Sequence, residues 1–220
     1  MSSTRSLNTT PTLIYSKTMD KSPQKLTDWE QIYTADSGAH KNEYPNEDVV
    51  RFLFKYIDPD DLVLDLGCGW GNNLEFVLDE GRDAIGIDIS PTACQQSRTI
   101  TPNVVQGDFT RLPFATDTFD AVVDRNSIQC NTLDAVEAAL KDSYRVLASG
   151  GQLYSIILAA TSDPESFHAY YLQDGKDELT YDDIQRLYAP FDELAIDEEY
   201  RTFGDGALSL RHYHVRGRKV

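Results

Sequence analysis

Long apolar runs are missing from this chain. The longest, around Ile156 to Ala160 in a protein of 220 residues, falls far short of the ~20 residues that span a bilayer, so no membrane engagement is expected. Cysteine is scarce too. Cys68, Cys94 and Cys130 are too few and too scattered for a disulfide network or a zinc knuckle, which points to free thiols, no bound metal and a reducing, cytoplasmic setting. Positive charge is short: 20 Lys and Arg stand against 36 Asp and Glu, a net charge of −16. Such a surface repels phosphate backbones and argues against nucleic acid as a partner. Residues 1–27 are rich in Ser and Thr and lack the apolar stretch of a secretory signal, so they read as a flexible N-terminal segment. There is no internal repeat, and the length suits a single domain with a full core over residues 28–220.

What is present is a strong alternation. Trp29, Ile32 and Tyr33, then Val49, Val50, Leu53, Phe54 and Ile57, recur at intervals of three and four, predicting a small helical cap over residues 28–60. Asn46 offers an N-cap, with Glu47 and Asp48 in the first turn behind it. A short strand ending at Leu66 then runs into the glycine turn Gly67-Cys68-Gly69-Trp70-Gly71 and a helix containing Leu74, Val77 and Leu78. The pattern repeats with strands at Ala84 to Ile89, Val104-Val105, Phe119 to Asp124 and, after the turn Ser149-Gly150-Gly151, Leu153 to Leu158. Strand and helix in alternation imply an α/β, doubly wound, mostly parallel Rossmann-like sheet of seven strands, with a core over residues 61–158. Residues 159–190 read as a lid-like acidic insertion, and residues 162–199 alone hold 12 acidic and 2 basic side chains. Residues 191–220 then read as a closing antiparallel hairpin turning at Phe203-Gly204-Asp205-Gly206.

The chemistry gathers at the strand ends, where ligands of such sheets bind. Three glycines in five residues allow close backbone approach and free N–H groups. Asp65, two residues before the first of them, would repel a pyrophosphate and attract a cationic group. Asp88 ends the second strand, 21 residues after Gly67, where a carboxylate can accept both hydroxyls of a ribose. The spacing Gly67-x-Gly69-x-Gly71 and the acid before it depart from the dinucleotide pattern and argue against a nicotinamide dehydrogenase.

Asp65-Leu66-Gly67-Cys68-Gly69-Trp70-Gly71 resembles the first motif of the class I S-adenosylmethionine-dependent methyltransferases, and the likeness extends over roughly residues 48–158. The resemblance implies S-adenosyl-L-methionine as cofactor. It places Gly67, Cys68 and Gly69 under the methionine part, Asp65 near its amino group, Asp88 and Ile89 at the ribose, Asp108 at the adenine amino group and Phe109 beside it. Arg125 and Asn126 match positions near the methyl-bearing end. One departure concerns the stretch Asn126-Ser127-Ile128-Gln129-Cys130-Asn131, where many small-molecule members carry a histidine. The Asn-Pro-Pro-Tyr and Asp-Pro-Pro-Tyr signatures of base-modifying relatives are missing as well.

The expectation is an enzyme that transfers a methyl group to oxygen or nitrogen of a small-molecule acceptor by in-line displacement. Its catalytic residue is undetermined, with His168, Tyr33 and Tyr44 as candidates. A protein methyltransferase drawn to basic polypeptides by the acidic segment, and a non-catalytic sensor of an adenosyl nucleotide, are the alternatives. His212 and His214 alternate on one face of the last strand and read as packing residues.

Overall fold

In a computed structural model of the protein, residues 26–35, 44–162, 178–206 and 208–220 are described. Two helices precede the sheet, α1 (Leu26–Ala35) and α2 (Glu47–Tyr56). The core then runs β1 (Val63–Leu66), α3 (Asn72–Asp79), β2 (Ala84–Asp88), α4 (Pro91–Ser97), β3 (Val104–Gln106), β4 (Phe119–Arg125), α5 (Leu133–Val146) and β5 (Leu147–Thr161). It closes with α6 (Tyr181–Leu187), β6 (Glu193–Phe203) and β7 (Leu208–Arg218).

The seven strands lie in the order β3-β2-β1-β4-β5-β7-β6. Strands β1 to β5 are parallel, and β7 runs antiparallel to both β5 and β6. The chain order reverses beside β1, which places a crevice at the carboxyl ends of β1 and β4. Because side chains alternate across a strand, two apolar layers form. Leu64, Leu66, Val122 and Leu153 face α5 and α6, where Leu140, Tyr188 and Phe191 meet them. Val63, Ala121 and Val123 face the other way, onto Phe52 and Leu53 of α2 and Leu74 and Val77 of α3. Central parallel strands buried on both faces hold the strand tips rigidly.

Local capping matches the sequence. Asn46 accepts the N–H groups of Asp48 and Val49 at 3.0 and 3.1 Å and starts α2, while Thr180 and Asp183 form a capping box at α6. The cysteines are free and buried. No described helix is long and apolar enough to cross a membrane.

Candidate functional site

Asp65 occupies the third position of β1, and only 4% of it is exposed. Its Oδ2 has no hydrogen-bond partner. A buried carboxylate left in this way resists ionisation. Burial first, then the neighbouring Asp124 and Asp88 carboxyls, push its pKa up to about 8. Beyond it the backbone takes left-handed conformations, with φ of +62° at Gly67 and +53° at Gly69. Side chains would be strained here, and they would also collide. A Cβ on Gly67 would lie 2.4 Å from that of Ser127, and one on Gly69 would lie 2.7 Å from the Tyr33 hydroxyl.

The bend is held from the next strand. Asp88, at the end of β2, accepts the N–H of Gly69 on Oδ2 and that of Ser90 on Oδ1, each at 2.9 Å. Burial nonetheless raises its pKa, against the effect of those bonds. Ser97 of α4 donates to the Gly69 carbonyl at 2.6 Å. Asp124, near the end of β4, is a third buried carboxylate with the opposite fate to Asp65. Its Oδ1 accepts Ser127 N, Ser127 Oγ and Ile128 N at 3.0, 2.5 and 3.2 Å, and its Oδ2 accepts Ser155 Oγ at 2.6 Å. Of two neighbouring buried acids, then, one is saturated by protein and the other is open to a ligand cation.

Past β4, Asn126 sits at φ +57°, and its Oδ1 is buried with no partner. Gln129 is fully buried in the 3₁₀ turn Ile128–Cys130. Its Oε1 accepts the Leu158 N–H, which fixes the amide's orientation and leaves Nε2 without a partner. Arg125 ends β4 with an exposed side chain.

The cap reaches this region through α1. Tyr33 packs edge-on against Trp70 at 5.2 Å and near Trp29 at 6.0 Å. Burial and the surrounding Asp88, Cys68, Cys130 and Asp65 drive its hydroxyl far above the ordinary tyrosine range. Glu30, one turn earlier, accepts Ser90 Oγ at 2.6 Å, Thr92 N at 3.1 Å and Thr92 Oγ1 at 2.5 Å.

Comparison with known proteins gives this geometry a family. A model described as a methyltransferase domain matches residues 63–151, and one described as DNA methylase matches residues 6–99. Among curated proteins, a demethylmenaquinone methyltransferase of Beutenbergia cavernae is 35% identical over 122 residues, covering 52% of this chain and 49% of that one. An 18S rRNA (guanine-N(7))-methyltransferase of Bos taurus is 35% identical over 101 residues, covering 44% of this chain and 35% of its own length. The chain thus spans about half, or less, of these relatives. Among solved structures, a Burkholderia thailandensis 1,6-didemethyltoxoflavin-N1-methyltransferase with S-adenosylhomocysteine bound superposes with a TM-score of 0.65 at 18% identity, over 88% of this chain and 87% of that one. Residues 63–151 are thus similar to a methyltransferase domain, and the fold is the one seen in class I S-adenosylmethionine-dependent methyltransferases.

The Burkholderia thailandensis neighbour holds S-adenosylhomocysteine, and the crevice of this chain fits S-adenosylmethionine chemically. An unpaired buried carboxylate oxygen matches an ammonium, and carboxyls at neighbouring strand tips match a nucleoside's hydroxyl and amino donors. Asp65, Asp88, Gly67, Cys68 and Gly69 come together at the bend. Ile89 is half-buried beside Asp88, and its carbonyl accepts from Gln106 Nε2 at 3.4 Å. Asp108 stands apart, exposed on the rim past β3, where it caps a 3₁₀ turn through Thr110 N at 2.8 Å; Phe109 packs half-buried against the core. Tyr33 reaches the bend. Tyr44 does not project into the interior: it is 74% exposed, and its carbonyl accepts from Asn72 Nδ2 at 2.9 Å. His168 lies outside the described residues. His214 meets Tyr154 OH at 2.9 Å on the sheet face that α2 covers. Among the described residues no group of His, Cys, Asp and Glu could hold a metal ion.

Sequence reasoning missed Asp124, Gln129 and Glu30. An acid ending a β-branched run directly before Arg-Asn-Ser was a usable signal for the first. For the other two the decisive partners are Leu158 and Ser90 with Thr92, 29 and about 60 residues away, so nothing local pointed to them.

Proposed function

We propose that the protein transfers the methyl group of S-adenosylmethionine to an oxygen or nitrogen of a small-molecule acceptor. The observation that carries the reading is the buried, unpartnered Oδ2 of Asp65 beside a left-handed glycine bend. When bound, the cofactor supplies a methyl carbon made electrophilic by a positively charged sulfur. The chain's tasks are to bind, orient and exclude water. Asp65 would receive the ammonium, Asp88 would accept from ribose hydroxyls while fixing Gly69, and Asp108 with Phe109 would border the adenine. Gly67, Cys68 and Ile89 would line the path between them, and Arg125 with Asn126 would flank the acceptor.

The residues past β4 also bear on the acceptor. Asn126 and Gln129 stand there, and neither carboxamide takes up a proton near neutral pH. We infer an acceptor atom needing little help in losing a proton, such as an aromatic nitrogen, a carboxylate or an acidic phenol. Tyr33 and His168 remain candidates for a direct role, with Tyr33 favoured over Tyr44 by its place at the bend. The relatives named above act, by their names, on a quinone precursor and on rRNA, and one matching model describes DNA methylases. Against a nucleic-acid acceptor stands the net charge of −16.

Calorimetry with S-adenosylhomocysteine tests the cofactor half: saturable binding is expected, lost in Asp65→Ala and weakened in Asp88→Ala. Labelled S-adenosylmethionine, offered separately to metabolite, protein and RNA fractions of a cell extract, tests the acceptor half. Label is expected in the metabolite fraction. Label confined to protein or RNA would refute the small-molecule reading.

A further inference from the structure

We propose that Glu30 is a positioning residue of the cofactor site, one that seats α1 on the start of α4 so that Tyr33 closes the glycine bend from above. The inference rests on the cofactor reading given above and adds a third wall to that site. The tip of β2, through Asp88, and α4, through Ser97, already hold the bend.

Three observations support it. First, the attachment is specific. Both carboxylate oxygens of Glu30 are engaged from the same short stretch, by Ser90 Oγ, Thr92 N and Thr92 Oγ1, at 2.5 to 3.1 Å. Hydrogen bonds to a charged acceptor are the strong ones, and α4 is the element on which α1 packs. Second, the tie is made by a charged group: burial opposes the charge of Glu30, but the hydrogen bonds from Ser90, Thr92 and Thr34 outweigh it and lower the pKa, so they hold the group as a carboxylate. Glu30 lies close enough to the buried Asp88 to disfavour that residue's ionisation. The tie therefore couples the seating of α1 to the charge state of Asp88, the residue that holds the bend. Third, the consequence reaches the bend. Tyr33 lies almost one turn after Glu30 on α1, and its hydroxyl stands 2.7 Å from where a Cβ on Gly69 would be. The Gly69 N–H is the group that Asp88 holds. Glu30, Ser90, Asp88, Gly69 and Tyr33 therefore form a closed circuit around the strand tips, and loosening one side frees Tyr33 from the bend.

The chain carries its own reporter. It has only two tryptophans, Trp29 and Trp70, and both contact the Tyr33 ring. Tryptophan emission therefore reads the seating of α1 directly.

The test uses the full-length protein with S-adenosylhomocysteine as probe, measuring affinity by calorimetry and dissociation by stopped-flow tryptophan fluorescence. Glu30→Gln is expected to weaken binding about tenfold or more, mainly through faster dissociation, and to shift the emission of the ligand-free protein to the red. Thr92→Val, which leaves α1 unchanged, is expected to act in the same direction by a smaller factor. The double variant should lose less than the product of the two, because both changes remove the same contact. A purely structural role would lower the urea midpoint without changing the dissociation rate of the folded protein. Wild-type affinity, dissociation rate and emission in Glu30→Gln would overturn the proposal. So would full independence of the two substitutions. Failure of the wild type itself to bind the probe would instead sink the cofactor reading, and this proposal with it.

Discussion

Asp65 is costly to the fold, and the proposed reading gives that cost a use: an oxygen kept free for an ammonium. Its carboxyl titrates near 8 in the folded protein because burial, Asp124 and Asp88 oppose its charge, against an ordinary value of 3.8. A folded pKa above the unfolded one means that the folded state holds the proton more tightly. Stability is then greatest below pH 3.8 as far as this group is concerned, and it is lost as pH rises toward 8. Removing the ionisable group should therefore stabilise the ligand-free protein at neutral pH. Asp65→Asn is expected to raise the unfolding free energy at pH 7 by on the order of 2–4 kcal/mol in urea melts, while abolishing cofactor binding. The same group links binding to pH. An ammonium needs the carboxylate, so wild-type binding near pH 7 should release close to one proton, and affinity should rise by up to about tenfold per pH unit until pH approaches 8. Calorimetry in buffers of different ionisation enthalpy counts that proton. A pH-independent affinity between 6 and 8 would remove Asp65 from the ammonium site.

At the scale of elements, what can be read from sequence depends on how far away the stabilising partner lies. Asn46 followed by two acids announced the start of α2, and the same Asn46 caps it in the structure, because a cap and its partners are neighbours in sequence. Strand β1 with its glycine turn was legible for the same reason. Strand β5 was legible in part: it runs from Leu147 to Thr161, and the expected turn at Ser149-Gly150-Gly151 survives inside it as a bulge, where the register with β4 shifts from Phe119 opposite Leu147 to Ala121 opposite Gln152. Gly150 keeps its left-handed φ of +85°, but its N–H finds the Lys219 carbonyl at 2.7 Å, and β7 pairs with the strand from Gln152 to Thr161. Long-range bonds thus absorb the local turn into the strand as a bulge. The acidic run ending at Glu199 likewise resolves partly into β6, an edge strand whose charges discourage pairing with other chains.

The cap helix offers the cleanest element-level test. Asn46→Ala removes the acceptor for two N–H groups of α2, whose Phe52 stacks on Tyr154 of β5 at 4.9 Å and 11°. The expected loss is ~1 kcal/mol, or about 2–4 °C in thermal midpoint for a domain of this size. Asn46→Asp or Asn46→Ser should restore most of it. A midpoint unmoved by Asn46→Ala would mean that α2 is held by its apolar face alone.

Taken whole, the molecule is an acidic body around an acid-tipped crevice, and that distribution decides which acceptors can approach. The net charge of −16 repels any polyanion. A nucleic-acid methyltransferase of this charge would need a local basic surface, and its affinity would then fall by roughly 10³–10⁵ between about 50 and 200 mM salt if it contacted 6–10 phosphates. A basic polypeptide would be drawn in by the same field and released by the same salt. A small acceptor carrying little or no charge is indifferent to both, since its encounter is not steered and its contacts lie inside the crevice. The kcat/KM for the physiological acceptor is therefore expected to change by less than about twofold over that salt range, measured with labelled cofactor at saturation. A steep fall with salt would show that the charge of the surface, and not contacts within the crevice, selects what is methylated.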